Sequence, residues 1–92
     1  MAKIGRHVYV SGRVQGVAFR YSAIRQAHLL GVTGWVKNAS DGRVELLIEG
    51  EDTAVRQMID WCHQGPRMAH VTQVQENTVA YSGKYPAFDV CF

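Results

Sequence analysis

From Val8 to Arg20 the chain reads VYVSGRVQGVAFR, and this stretch limits the possible fold more than any other. Val8 and Val10 alternate with Tyr9 and Ser11 at the period of a half-buried strand. Gly12 and Gly16 follow, with neither strand nor helical periodicity between them, and beyond them the apolar spacing becomes helical. A strand that runs through a glycine-bracketed loop into a helix N-terminus can hold an anion. Glycines let the backbone turn inward so that several N–H groups face one point, and the helix dipole adds partial positive charge there. Arg20, at the exit of the loop, adds a full charge and a rigid fork of donors that matches phosphate oxygens. Two glycines four apart are also an ordinary tight connection, so on these residues alone both readings stand. Neither GxxxxGK[ST] nor GxGxxG occurs, which points to an anion smaller than a nucleotide.

The remaining elements follow from period and punctuation. The first strand is expected over His7 to Ser11 and the first helix over Tyr21 to Leu30, with Ala23, Ile24, Ala27 and Leu30 as its apolar stripe. Gly31 stands where a left-handed C-cap belongs. A second strand, Gly34 to Lys37, leads through Asn38-Ala39-Ser40-Asp41-Gly42 into a third, and Asp-Gly between strand-like runs is a strong hairpin signal. Along the third strand Val44, Leu46 and Ile48 predict a dry face, and Arg43, Glu45, Leu47 and Glu49 a wet one. Glu51-Asp52-Thr53 offers capping side chains to a second helix, which Gly65-Pro66 stops after Gln64. A fourth strand near His70 to Gln75 alternates poorly, Asn77 to Pro86 reads as a connection with a Ser82-Gly83 turn, and Ala87 to Phe92 closes the chain as a strand. The order strand, helix, strand, strand, helix, strand (βαββαβ) predicts an α+β, ferredoxin-like two-layer sandwich: an antiparallel sheet with both helices on one face.

Two longer runs carry a family resemblance. GRVQGVAFR (Gly12 to Arg20) resembles the first signature of the acylphosphatases, and GWVKNASDGRVE (Gly34 to Glu45) resembles the second, in the expected order and spacing. The likeness covers nearly the whole chain and weakens after about Glu76. It implies the same fold, and hydrolysis of acyl phosphates to carboxylate and inorganic phosphate. It makes Arg20 the phosphate ligand, with loop residues Arg13, Val14, Gln15, Gly16 and Val17 around it, and Asn38 the catalytic asparagine. An asparagine before Asp-Gly is also a common turn residue, so the resemblance decides its role. The resemblance further implies that the C-terminal carboxylate, here that of Phe92, pairs with Arg20. The family often has threonine after the asparagine and after the second hairpin glycine, where this chain has Ala39 and Arg43.

The chemistry suits such a site. The leaving group of an acyl phosphate is a carboxylate whose acid has a pKa of roughly 4 to 5, so it departs unprotonated and needs no general acid. What remains is to neutralise the phosphoryl oxygens and to aim a water in line with the breaking bond.

Composition narrows the alternatives. Ninety-two residues suggest one domain over 1–92, and a monomer is the expectation at this size. No apolar run of signal-peptide or membrane-spanning length occurs, so a cytoplasmic protein with no membrane partner is expected. A net charge of +2, from scattered basic and acidic residues, does not favour nucleic acid. RNA-binding domains of the same element order stack bases on aromatics of the central strands, and the wet face of the third strand offers none. His7, His28, His63 and His70 have no zinc-ligand spacing with one another or with the cysteines, and neither metal nor cofactor is expected. Ser11 has no sequence-adjacent histidine or acid to activate it. Cys62 falls on the apolar stripe of the second helix and Cys91 on the opposite parity to Phe88, Val90 and Phe92, which predicts two unpaired thiols. The open alternative to catalysis is an anion-binding or regulatory module on the same fold.

Overall fold

The computed structural model describes residues 2–92. Its elements are β1 (Lys3–Arg13), α1 (Phe19–Leu30), β2 (Thr33–Asn38), β3 (Val44–Glu51), α2 (Asp52–Gln64), β4 (His70–Val79) and β5 (Phe88–Val90). They form one five-stranded sheet in the order β4-β1-β3-β2-β5. The first four strands pair antiparallel, as a ferredoxin-like sandwich requires. β5 departs from the expected all-antiparallel sheet by adding parallel to β2. The direction follows from the route of the chain. β4 runs antiparallel to β1 and finishes at the end of the sheet where β2 begins, so a strand laid beside β2 from that end must run with it. In consequence β1, β2 and β5 all finish at the same end of the sheet.

Strand alternation builds the core. Val8, Val10, Val44, Leu46, Ile48, Val36 and Phe88 point to the helical side and are fully buried there. Ala23 and Ala27 of α1, and Val55, Met58, Ile59 and Cys62 of α2, supply the facing layer. Small residues on α1 let it lie close to the sheet, while the larger stripe of α2 fills the other half. Gly31 caps α1 in the left-handed region at φ 76°, its N–H donating to Ala27 O at 2.8 Å. α2 is capped differently from expectation. Glu51 occupies its N-cap without a side-chain bond, and the first turn is served by the charge of Asp52, which pairs with Arg56 one turn on. Both thiols are free, and burial pushes that of Cys62 up to about 12, so it is a packing atom rather than a nucleophile.

β4 is longer than its sequence pattern suggests because an edge strand is held by backbone pairing to β1 rather than by a buried face. The connection that follows crosses the helix-free face, and there Glu49 overturns its expected wet position: it is only 1% exposed. Its carboxylate accepts the N–H of Ser82 at 2.9 Å, the N–H of Gly83 at 3.1 Å and the Ser82 hydroxyl at 2.9 Å. Alternation places a side chain on one face of a sheet but says nothing about a later segment folding over that face. Glu49→Gln replaces one acceptor oxygen with a donor facing these N–H groups. The change should destabilise the protein by about 2 kcal/mol, read as a lower urea midpoint at unchanged m-value.

Candidate active site

At the shared end of β1, β2 and β5 lies a pocket of about 320 Å³. Each wall has a local cause. β1 ends at a bulge between Ser11 and Gly12, where Gly12 adopts φ 120°; a Cβ there would stand 2.2 Å from His70 O, so only glycine fits. The loop then dives under the helical layer, anchored by the buried side chains of Val14 and Val17. Between these anchors Gly16 turns at φ 75° and faces open space in the pocket. Ala18 follows at φ 64°, the one non-glycine residue in the left-handed region among those described. It is the N-cap of α1 but provides no side-chain cap, and the first turn holds no acid.

That helix start is consequently rich in free donors. The first amide of α1 paired to a backbone carbonyl is that of Ser22, which donates to Ala18 O at 3.0 Å. The earlier N–H groups of the turn have no intrahelical acceptor by geometry. Arg20 projects from the same turn, half-buried, and joins no salt bridge among the described residues. The expected pairing with the Phe92 carboxylate is not made. The last sheet bond of the chain is Cys91 N–H to Val36 O at 2.8 Å, and Phe92 lies beyond it, 98% exposed at the pocket wall.

Asn38 is the last residue of β2 and has the parity of buried Val36, so its side chain enters the pocket from the helical side of the sheet. Its Oδ1 is buried without a hydrogen-bond partner. Arg20 and Asn38, eighteen residues apart in sequence, thus face one cavity whose lining side chains include no Asp, Glu or His. Of the loop residues expected around the anion, Val14 and Gly16 line the cavity. Val17 is an anchor, and Arg13 belongs to β1, paired with His70. Ala18 lines the cavity too, and no feature of its residue type marks it beforehand.

Gln15 has a different task. Its Nε2 donates to Ala39 O at 2.8 Å and to Arg43 O at 3.0 Å, tying the loop of Arg20 to the hairpin of Asn38. The hairpin closes on itself by Ala39 N–H to Arg43 O at 2.8 Å. Asp41 accepts the Arg43 N–H at 3.1 Å and holds its guanidinium at 2.8 Å. Ala39 and Arg43, the positions where the resemblance leads one to expect threonine, both take part in these bonds. Arg43 itself lies on the helix-free face, its guanidinium 4.0 Å from the centroid of the Tyr9 ring, whose hydroxyl donates to Glu45 at 3.3 Å. Tyr9 and Trp35 do place aromatics on that face, from β1 and β2, but Arg43 covers Tyr9 and Lys37 stands over Trp35.

The structure is thus a ferredoxin-like sandwich with an arginine, an amide side chain and a helix start short of intrahelical acceptors around one pocket lined by no Asp, Glu or His. Comparison with known proteins gives the family. The acylphosphatase family model matches residues 6–90. The chain is 48% identical over 91 residues to an acylphosphatase of Anaeromyxobacter sp. strain Fw109-5, covering 98% of each chain. Two acylphosphatase structures superpose with a TM-score of 0.92. That from Coxiella burnetii is 40% identical, over 97% of this chain and 93% of its own. That from Bacillus subtilis is 32% identical, over 97% and 99%. The chain belongs to the acylphosphatase family.

Two tests address the frame of the site. Gln15→Ala should lower stability by about 1 kcal/mol and speed amide exchange at Ala39 more than at core amides of β3, measured by hydrogen exchange. The Arg43 guanidinium and N–H hold the Asp41 carboxyl below the usual carboxylate range. A lowered folded pKa gives stability that is present above the ordinary carboxylate pKa and lost as pH falls through the lowered one. Asp41→Asn should therefore lower the Tm at pH 7, and its difference from the wild type should shrink toward zero below that lowered pKa.

Proposed function

We propose that Arg20 and Asn38, with the amides of the loop, carry out the reaction that defines the family: hydrolysis of the carboxyl–phosphate bond of acyl phosphates. The observation that supports this is the cavity they share, lined by an unpaired guanidinium, an unpartnered amide oxygen and an uncapped helix start.

In this reading the phosphoryl group sits against the first turn of α1. Its oxygens accept backbone N–H groups beside Gly16 and Ala18, and the Arg20 fork binds two of them. Asn38 orients the attacking water. A half-turn of its amide presents either donor or acceptor to the cavity, so it serves water and phosphoryl oxygen alike. Water oxygen bonds to phosphorus as the phosphorus–acyl oxygen bond breaks, and the carboxylate leaves with the electron pair. No side chain of a general base lines the cavity, and a loose transition state draws little on one. The water proton passes to a phosphoryl oxygen of the product. Among the described residues no cluster of three or more metal-type ligands occurs, and charge neutralisation is assigned to Arg20 and the amides. Inorganic phosphate, which matches the transferred group, is expected to compete with substrate. We further read residues 1–92 as one such domain acting as a cytoplasmic monomer; no helix among the described residues is long and apolar enough to cross a membrane.

The test is hydrolysis of benzoyl phosphate in EDTA, followed by ultraviolet absorbance. Arg20→Ala should lower kcat/KM by about a thousandfold or more and raise KM, whereas Asn38→Ala should act on kcat by about a hundredfold or more. Absence of turnover by folded wild type would leave an anion-binding module. Turnover that survives both substitutions would place the chemistry elsewhere.

A further inference from the structure

The cavity is larger than the group that Arg20 and Asn38 would hold. At about 30 Å³ for each oxygen-sized group, three phosphoryl oxygens occupy roughly 90 Å³, which leaves most of the 320 Å³ unaccounted for. The lining divides by chemistry. Gly16, Arg20 and Asn38 supply its polar groups. Tyr21 and Ile24 of α1, with Val90 and Phe92 at the end of β5, form an apolar wall.

The backbone places that wall next to the charge. Tyr21 directly follows Arg20, and Ile24 stands one helical turn from Arg20 and three residues from Tyr21, so both present side chains over the first turns of α1. Val90 and Phe92 alternate along the last extended segment and share one parity. Tyr21 is 66% exposed, and of the five exposed large hydrophobic residues of the described chain, Tyr21 and Phe92 both stand at this cavity. Neither is needed for the core, which is complete beneath them. Exposed apolar side chains gathered at a single cavity mark a surface for apolar contact.

We propose that this wall is the acyl subsite, and that the protein selects acyl phosphates with bulky apolar acyl groups, aromatic ones among them, over acetyl phosphate. The inference rests on the phosphoryl reading above, because it places the anionic half of the substrate at Arg20. Ile24 and Tyr21 are its specificity-determining residues. Contact with the wall must be stronger in the transition state than in free solution to raise kcat/KM, and an extended apolar acyl group gains such contact where a methyl group does not reach.

The measurement is kcat/KM for benzoyl phosphate and for acetyl phosphate, in wild type and in the Tyr21→Ala, Tyr21→Phe and Ile24→Ala variants, each checked for folding by circular dichroism. Comparing the benzoyl-to-acetyl ratio between proteins cancels the intrinsic reactivity of the two anhydrides. The ratio should fall about tenfold in Tyr21→Ala and in Ile24→Ala, and Tyr21→Phe, which keeps the ring, should retain it. If Ile24→Ala fails to fold, the exposed Tyr21 position carries the test. An unchanged ratio in the folded alanine variants, with both substrates turned over, overturns the subsite and leaves the phosphoryl reading intact. Failure of the wild type to hydrolyse either substrate overturns the phosphoryl reading, and the subsite falls with it.

Discussion

The first turn of a helix leaves backbone N–H groups that the helix cannot satisfy. Most chains close that turn with a serine, threonine, aspartate or asparagine. This chain closes it with Ala18, which has nothing to offer, and places no acid in the turn. It then adds Arg20, whose charge opposes the local dipole. Each choice is mildly unfavourable for an isolated helix. Together they fit the proposed phosphoryl site, in which an anion from outside completes the turn. The left-handed backbone of Ala18 is of the same kind: a conformation costing of order 1 kcal/mol that persists because the buried valines on either side of Gly16 and the body of α1 hold both ends of the loop.

Incompleteness of this sort is useful only if the surroundings are stiff. A donor set that must first be ordered by its ligand loses affinity to the ordering. Here stiffness comes from three sources of different type. Burial of Val14 and Val17 fixes the loop against the core. The Gln15 amide fixes the loop against the hairpin by bonding two carbonyls at once. The Asp41–Arg43 clasp fixes the hairpin against itself. The second and third both involve Ala39 or Arg43, the two departures from the resemblance. Ala39 therefore does not imply a loose hairpin, since its backbone N–H and C=O are both used in the tie.

Much of this is legible in the residues alone. Helix stripes, glycine stops and the Asp-Gly hairpin were readable because each is a local consequence of period or of φ. Arg20 and Asn38 could be named because two signatures stood in order, although only folding brings them to one cavity. Features that depend on distant segments were not readable. Glu49 carries the alternation of a solvent-facing residue, and nothing within β3 reports that Ser82 and Gly83 will cover it. β4 outran its pattern because an edge strand buries little, and β5 turned out parallel because its direction was set by where β4 ended. Tyr9 and Trp35 share the helix-free face from β1 and β2, and the alternation of β3 alone carries no sign of them. The second use of Gln15 left no signal at all, since a side-chain bond to two carbonyls in another hairpin has no local signature.

The placement of these long-range features follows from the topology. β1, β2 and β5 end together, so one end of the sheet collects loop, hairpin and terminal strand around the cavity. The opposite end is where β4 hands over to β5, and the connecting segment there is held on buried Glu49. There Glu49 is a buried carboxylate with three donors, while Oε2 of neighbouring Glu51 is buried without a partner. The cavity end is left open, with an unpaired guanidinium, free amides and an orphaned amide oxygen. Polar groups buried without partners destabilise a fold, and a small domain tolerates few of them. The three donors on Glu49 tie down the connecting segment and the buried valines tie down the loop, so a chain of 92 residues holds a single packed core beside the open groups of the proposed anion site.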